Sequence, residues 1–157
     1  MVEAANSTPE AVFIDASRDP DLRALYEYWN RVRGDRAMPR RADIDPSEIP
    51  KLLPYIIMYN AAAGDGYTIR LVGEQVVRLN GINGTGRKAG SIMTPRGAEM
   101  MNRILDAVVT ERAPKFRAGK VYWHPDKTYR DFEACFLPLS ADGETVDIIL
   151  GGVKSPL

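Results

Sequence analysis

Phe136-Leu137-Pro138-Leu139-Ser140-Ala141-Asp142-Gly143-Glu144-Thr145-Val146, running on into Ile148-Ile149-Leu150-Gly151-Gly152-Val153, is the stretch that decides the fold. Two apolar, β-branched-rich runs flank an Asp-Gly pair, a strong short-range signal for an antiparallel hairpin. Working back from it, 115–123 and 129–139 read as two long strands joined by His124-Pro125-Asp126-Lys127-Thr128. The last strand is expected over 145–153. The chain stops four residues later at Leu157, so no output domain is expected to follow on the same polypeptide.

Upstream, Thr94-Pro95 places a capping hydroxyl before a proline at the first helical position. Met101, Ile104, Leu105 and Val108 then recur on one helical face. Residues 55–59 and 67–72 read as a strand pair around Ala63-Gly64-Asp65-Gly66, and a short helix starts at Gly73. Asp19-Pro20 opens a further helix over 19–33 with Leu22, Leu25, Tyr26 and Trp29 on one stripe, ended by Gly34. Asp45-Pro46-Ser47-Glu48 has the arrangement of a capping box and predicts a short helix carrying Ile49, Leu52 and Leu53. Strand clusters with helices between them and tight turns argue an α+β fold with an antiparallel sheet.

Composition narrows the function. The 21 basic and 21 acidic residues cancel, which gives no general electrostatic reason to bind nucleic acid or anionic lipid. A single cysteine excludes an internal disulfide framework. No apolar run approaches the ~20 residues of a membrane helix, and residues 1–19 lack the pattern of a signal peptide. A soluble, cytoplasmic domain is expected. His124 is the only histidine, which excludes a multi-histidine metal site, and it reads as a solvated loop residue. Cys135 lies mid-strand and reads as a buried, inert thiol. No nucleophile-elbow, zinc-protease or phosphate-loop motif is present.

Several motifs together resemble a PAS domain over about 54–153. They are Gly81, the pair Gly86-Arg87, Pro138-Leu139-Ser140 and Asp142-Gly143 with Val146. Trp29, Arg33-Gly34, Pro39-x-Arg41-x-Asp43-Ile44-Asp45-Pro46, Leu53-Pro54 and Arg70-Leu71-Val72-Gly73 resemble a divergent bacterial subfamily whose members are often single-domain. One departure is Gly73-Glu74, where many PAS domains carry an asparagine. The resemblance implies a five-stranded antiparallel sheet, its first and last strands central, with helices on one face and an extra N-terminal helix. Residues 1–19 would be a flexible arm, and 20–157 one domain with a helical extension (20–53) and a core (54–153).

A stand-alone sensory or regulatory module, not an enzyme, is the function this implies. It would bind a small ligand or an effector protein and signal through altered contacts. Candidate pocket residues are Tyr59, Arg70, Met101, Leu105, Tyr122 and Arg130, with Arg70 and Arg130 as polar anchors. Arg33, Arg36, Arg40 and Arg41 are candidates for an anion or partner, although they can equally tie the helix to nearby carboxylates. Leu22, Leu25, Tyr26 and Trp29 either cover their own sheet or, as the favoured expectation, meet a second copy in a homodimer. Haem-binding PAS domains usually supply a histidine from the long helix, and 95–112 has none. Flavin-bonding relatives carry a cysteine after the second strand, and 73–86 has none. Neither haem nor covalently bound flavin is therefore expected. Two rivals remain: an interaction module with a closed pocket, and an enzyme on a look-alike cone fold, for which Glu133 and Asp131 are the available carboxylates.

Overall fold

The computed structural model describes residues 12–62, 66–121, 123–127 and 130–155. Its centre is one antiparallel sheet built from β1 (Val12–Ile14), β2 (Ile56–Ala62), β3 (Gly66–Val72), β4 (Lys115–Lys120), β5 (Asp131–Leu139) and β6 (Ile148–Lys154). The order across the sheet is β1-β4-β5-β6-β2-β3. The five expected strands are all present, with β6 and β2 inside the sheet. A sixth is added because 12–14, read as part of an arm, pair with β4 (Phe13 opposite Arg117).

Three helices clothe the sheet: α1 (Pro20–Arg33), α2 (Glu74–Asn80) and α3 (Pro95–Glu111). The cap signals act as the sequence indicates. The Asp19 side chain accepts from the Asp21 and Leu22 amides, and the Thr94 hydroxyl accepts from the Gly97 amide. α2 and α3 pack on one face of the sheet, whereas α1 lies against β5 and β6 on the other. The central strands are therefore covered on both sides, and β6 is buried from Ile148 to Val153. This explains why it reads as a continuous apolar run rather than an alternating one.

Three local expectations need correction. Residues 46–55 do not form a short α-helix but two separate 3₁₀ turns, Pro46–Glu48 and Leu53–Tyr55. Prolines at 46, 50 and 54 remove a backbone donor once per turn, so α-helical bonding cannot propagate. Nor is there a capping box. The Asp45 carboxylate takes the Ser47 amide, but Glu48 instead accepts the Tyr28 hydroxyl at 2.9 Å. The final hairpin is not a two-residue turn either: Leu139 pairs with Ile148, leaving 140–147 as its loop. Asp142 organises that loop by accepting from the amides of Glu144 and Thr145 and from the Ser140 hydroxyl. These donors hold its carboxyl down at about 2, the Thr145 amide first.

The turn at Gly73, where the sequence departs from the resemblance, is fixed by close packing. A Cβ at this position would lie 2.2 Å from the Leu53 carbonyl oxygen and 2.6 Å from the Pro54 backbone. The chain turns from β3 into α2 directly against that backbone, which only glycine permits.

Candidate functional site

Alternation along the strands sets what faces α2 and α3. Ile57 and Tyr59 of β2, Ile69 of β3, Arg117 of β4, Phe132, Ala134 and Phe136 of β5, and Val153 of β6 share this side of the sheet. Val76 and Asn80 of α2, Met101 and Ile104 of α3, and Ile92, Met93 and Trp123 from the connections complete the enclosure. The side chains leave about 20 Å³, roughly the room of one water molecule. The lining is apolar apart from the Asn80 amide, the Trp123 indole N–H, the Arg117 guanidinium and the Tyr59 hydroxyl. Asn80 Oδ1 accepts the Trp123 indole N–H at 2.8 Å, which closes one end. Arg117 is 2 % exposed, lies in register with Ala134 and through it with Val153, and carries the Phe13 ring 4.8 Å from its guanidinium carbon. The α3 side is pinned where the Tyr67 hydroxyl donates to Asp106 at 2.5 Å; burial first, and then that carboxylate, push the phenol well above its usual range.

Of the predicted pocket residues, Tyr59 and Met101 line this cavity. Leu105 is fully buried but is not part of the lining. Arg70 is exposed, one position out of phase with the inward Ile69, and donates to Asn60 Oδ1 at 3.2 Å. Arg130 borders a neighbouring groove instead. Tyr122 lies outside the described residues. The sequence reading missed Arg117, because Lys115-Phe116-Arg117-Ala118 looks like a polar edge strand; β1, which covers that edge, was not foreseen.

The α1 stripe is a cover, not a free surface. Leu22, Leu25 and Trp29 are at most 3 % exposed within the single chain, and the Trp29 indole donates to the Pro138 carbonyl at 2.8 Å. Of the two expectations for this stripe, these three side chains follow the first and are buried against their own sheet. Tyr26 is half-buried, stacked on Trp29 and edge-on to Phe116. Lys154 ties the N-terminal end of α1 to β6 through Asp21 and, at 3.5 Å, Asp19; the bond to Asp21 is the main cause that raises the ammonium pKa.

The arginine cluster is largely occupied with the chain's own backbone. Arg33 donates to the Gly34 and Arg36 carbonyls, Arg36 to those of Val32 and Arg33, and Arg41 to that of Ile44. They thus cap the end of α1 and the turn after it. Arg36 and Arg40 share Asp43 at 2.8 and 3.7 Å. The Arg40 amide, and then Arg36, hold that carboxyl below the usual range.

Cys135 is fully buried on the α1 side of the sheet, where burial pushes its thiol up to about 12. His124 is half-buried beside Gly81 and accepts the Asp126 amide at 3.3 Å. Among the described residues no group of three His, Cys, Asp or Glu is placed to hold a metal, and no helix is long and apolar enough to cross a membrane.

A mixed-order antiparallel sheet with a small cavity under its helices defines the class of protein. The chain belongs to the PAS domain family, whose model matches residues 17–154. Among solved structures it is similar to one described as "Flavin Analogue Sheds Light on Light-Oxygen-Voltage Domain Mechanism", at 16 % identity and a TM-score of 0.44, over 72 % of this chain and 87 % of that one. No curated protein matches the chain.

Proposed function

We propose that this is a regulatory PAS module whose cavity admits a small, largely apolar ligand, and which signals by altered surface contacts rather than by catalysis. The observation that carries the reading is the composition of the cavity wall: an apolar enclosure at the seam of sheet and helices with one buried arginine, Arg117, in it. Entry requires side chains to move. Met93 and Met101, unbranched and adaptable, are the ones best suited to do so. The two carboxylates that an enzyme reading offers, Glu133 and Asp131, have partners of their own. Glu133 accepts the Arg18 and Asp19 amides at 2.9 and 3.2 Å, and Asp131 pairs with Lys120 at 2.6 Å.

The small free volume supports a second reading, an interaction module whose pocket is closed by its own side chains. Native mass spectrometry of the protein isolated from its own source separates the two, with methyl NMR of Met93 and Met101 during titration of small aromatic fragments. A bound mass, or saturable shifts of both methyl groups, is the expected result. A bare protein whose methyl signals ignore every fragment leaves only the closed module.

A further inference from the structure

We infer that the groove between α2 and the adjoining ends of β5 and β6 binds the carboxylate of a small organic acid, with Arg130 as its anchor. The groove encloses about 330 Å³, and Tyr55, Gln75, Arg78, Arg130, Lys154 and Ser155 supply its polar lining. None of the residues lining it is acidic, while three are basic.

The charge account singles out Arg130. Lys154 is neutralised by Asp21 and Asp19, and Arg78 reaches Glu74 at 3.6 Å. Arg130 forms no ion pair among the described residues. Its hydrogen bond goes to a neutral acceptor, the Ser155 carbonyl at 3.1 Å, and its Nε is buried with no acceptor at all. Lys127, on the same connection, donates to the Arg78 and Leu79 carbonyls at 2.7 and 2.9 Å and so caps the end of α2. A half-buried guanidinium without a counter-charge is costly, and a planar carboxylate fits its fork of donors. Tyr55, Leu79 and Val153 give the groove apolar surface for the rest of an organic acid. Among the described residues Arg130 is the one basic lining residue with no acidic partner, which matches a monoanion better than a dianion. Val153 also borders the inner cavity, but the groove is open without any movement there, so this site does not depend on the cavity taking a ligand.

Benzoate, benzyl alcohol and inorganic phosphate, titrated at constant ionic strength into the full chain and followed by amide NMR, test it. Benzoate is expected to shift Gln75, Arg78 and Ser155 saturably. Benzyl alcohol, of the same shape without the charge, should be silent. Arg130→Gln should weaken benzoate by at least about tenfold, as expected for loss of a charge-assisted pair. Arg130→Lys, which keeps the charge but not the fork, should fall between the two and guards against a folding defect, with thermal melts confirming both variants. Equal benzoate binding by Arg130→Gln, equal binding of benzyl alcohol, or tighter binding of phosphate would each overturn the assignment. So would shifts confined to Met93 and Met101, which would move benzoate to the inner cavity.

Discussion

Replacing Leu25 with alanine, alone and together with Gly152→Ala, tests whether α1 is part of this chain's core. Leu25 is 2 % exposed, and its side chain sits over Gly152 of β6. A methyl group at 152 would approach Leu25 Cδ2 to 2.8 Å, Leu22 Cδ2 to 2.9 Å and Cys135 Sγ to 3.2 Å. Truncating a buried leucine costs about 2–5 kcal/mol, against a total stability of roughly 5–15 kcal/mol for a domain. For a chain of this size that lowers Tm by about 5–15 °C. Gly152→Ala alone overfills the interface and costs about 1–2 kcal/mol. In the double variant the leucine atom nearest the new methyl is gone, so the two losses should be less than additive by about 1 kcal/mol; the Leu22 contact persists and keeps the rescue partial. Urea unfolding followed by the fluorescence of Trp29 and Trp123, at low and high micromolar protein, provides the measurement. The midpoints should not depend on concentration, because the lost contacts are intramolecular. A Leu25→Ala cost below about 0.5 kcal/mol, strict additivity, or a midpoint that rises with concentration would refute the reasoning.

Three further outcomes follow from the same geometry. Arg70→Met should change stability by less than about 0.5 kcal/mol, since the side chain is exposed and holds only Asn60; a thermal melt checks it. Asp142 has its folded pKa lowered to about 2, so its contribution to the 140–147 loop is complete above the ordinary carboxylate range and is lost as pH falls through about 2. A carboxyl-detected NMR titration should place its midpoint there, and Asp142→Asn should remove that part of the acid sensitivity. Cys135 should resist Ellman's reagent at mildly alkaline pH until the protein unfolds, because its thiol is buried and pushed up to about 12. Labelling of the native state faster than unfolding would contradict its place beneath α1.

Much of the fold is legible because it is written in local signals. Asp19-Pro20 and Thr94-Pro95 announce the helices that their side chains do cap, Tyr67 to Arg70 of β3 alternate, and β6 shows itself as one apolar run. The site is less legible because inward and outward are decided by partners distant in sequence. The amphipathic stripe of α1 shows that it must bury one side; only the position of Gly152 and Pro138 shows that its own sheet receives it. Arg117 and Arg70 invert for a similar reason. Arg70 lies in a strand of strong β character but points away from the helices, as the inward Tyr67 and Ile69 require. Arg117 lies in a polar-looking strand yet is enclosed, because β1 and β5 flank it on either side.

The position of β6 in the sheet also shapes how the chain must be assembled. Ile56 pairs with Gly152, so the contact that unites the two halves joins residues at opposite ends of the 54–153 core. Until 148–154 have left the ribosome, β2 with β3 and β4 with β5 can form only as separate hairpin-like ribbons, each with an open edge and an uncovered apolar face. Such a topology folds slowly and late, since a long loop must close before the central pairing rewards it. Truncations that remove this one strand should therefore accumulate as aggregate rather than as a smaller folded domain.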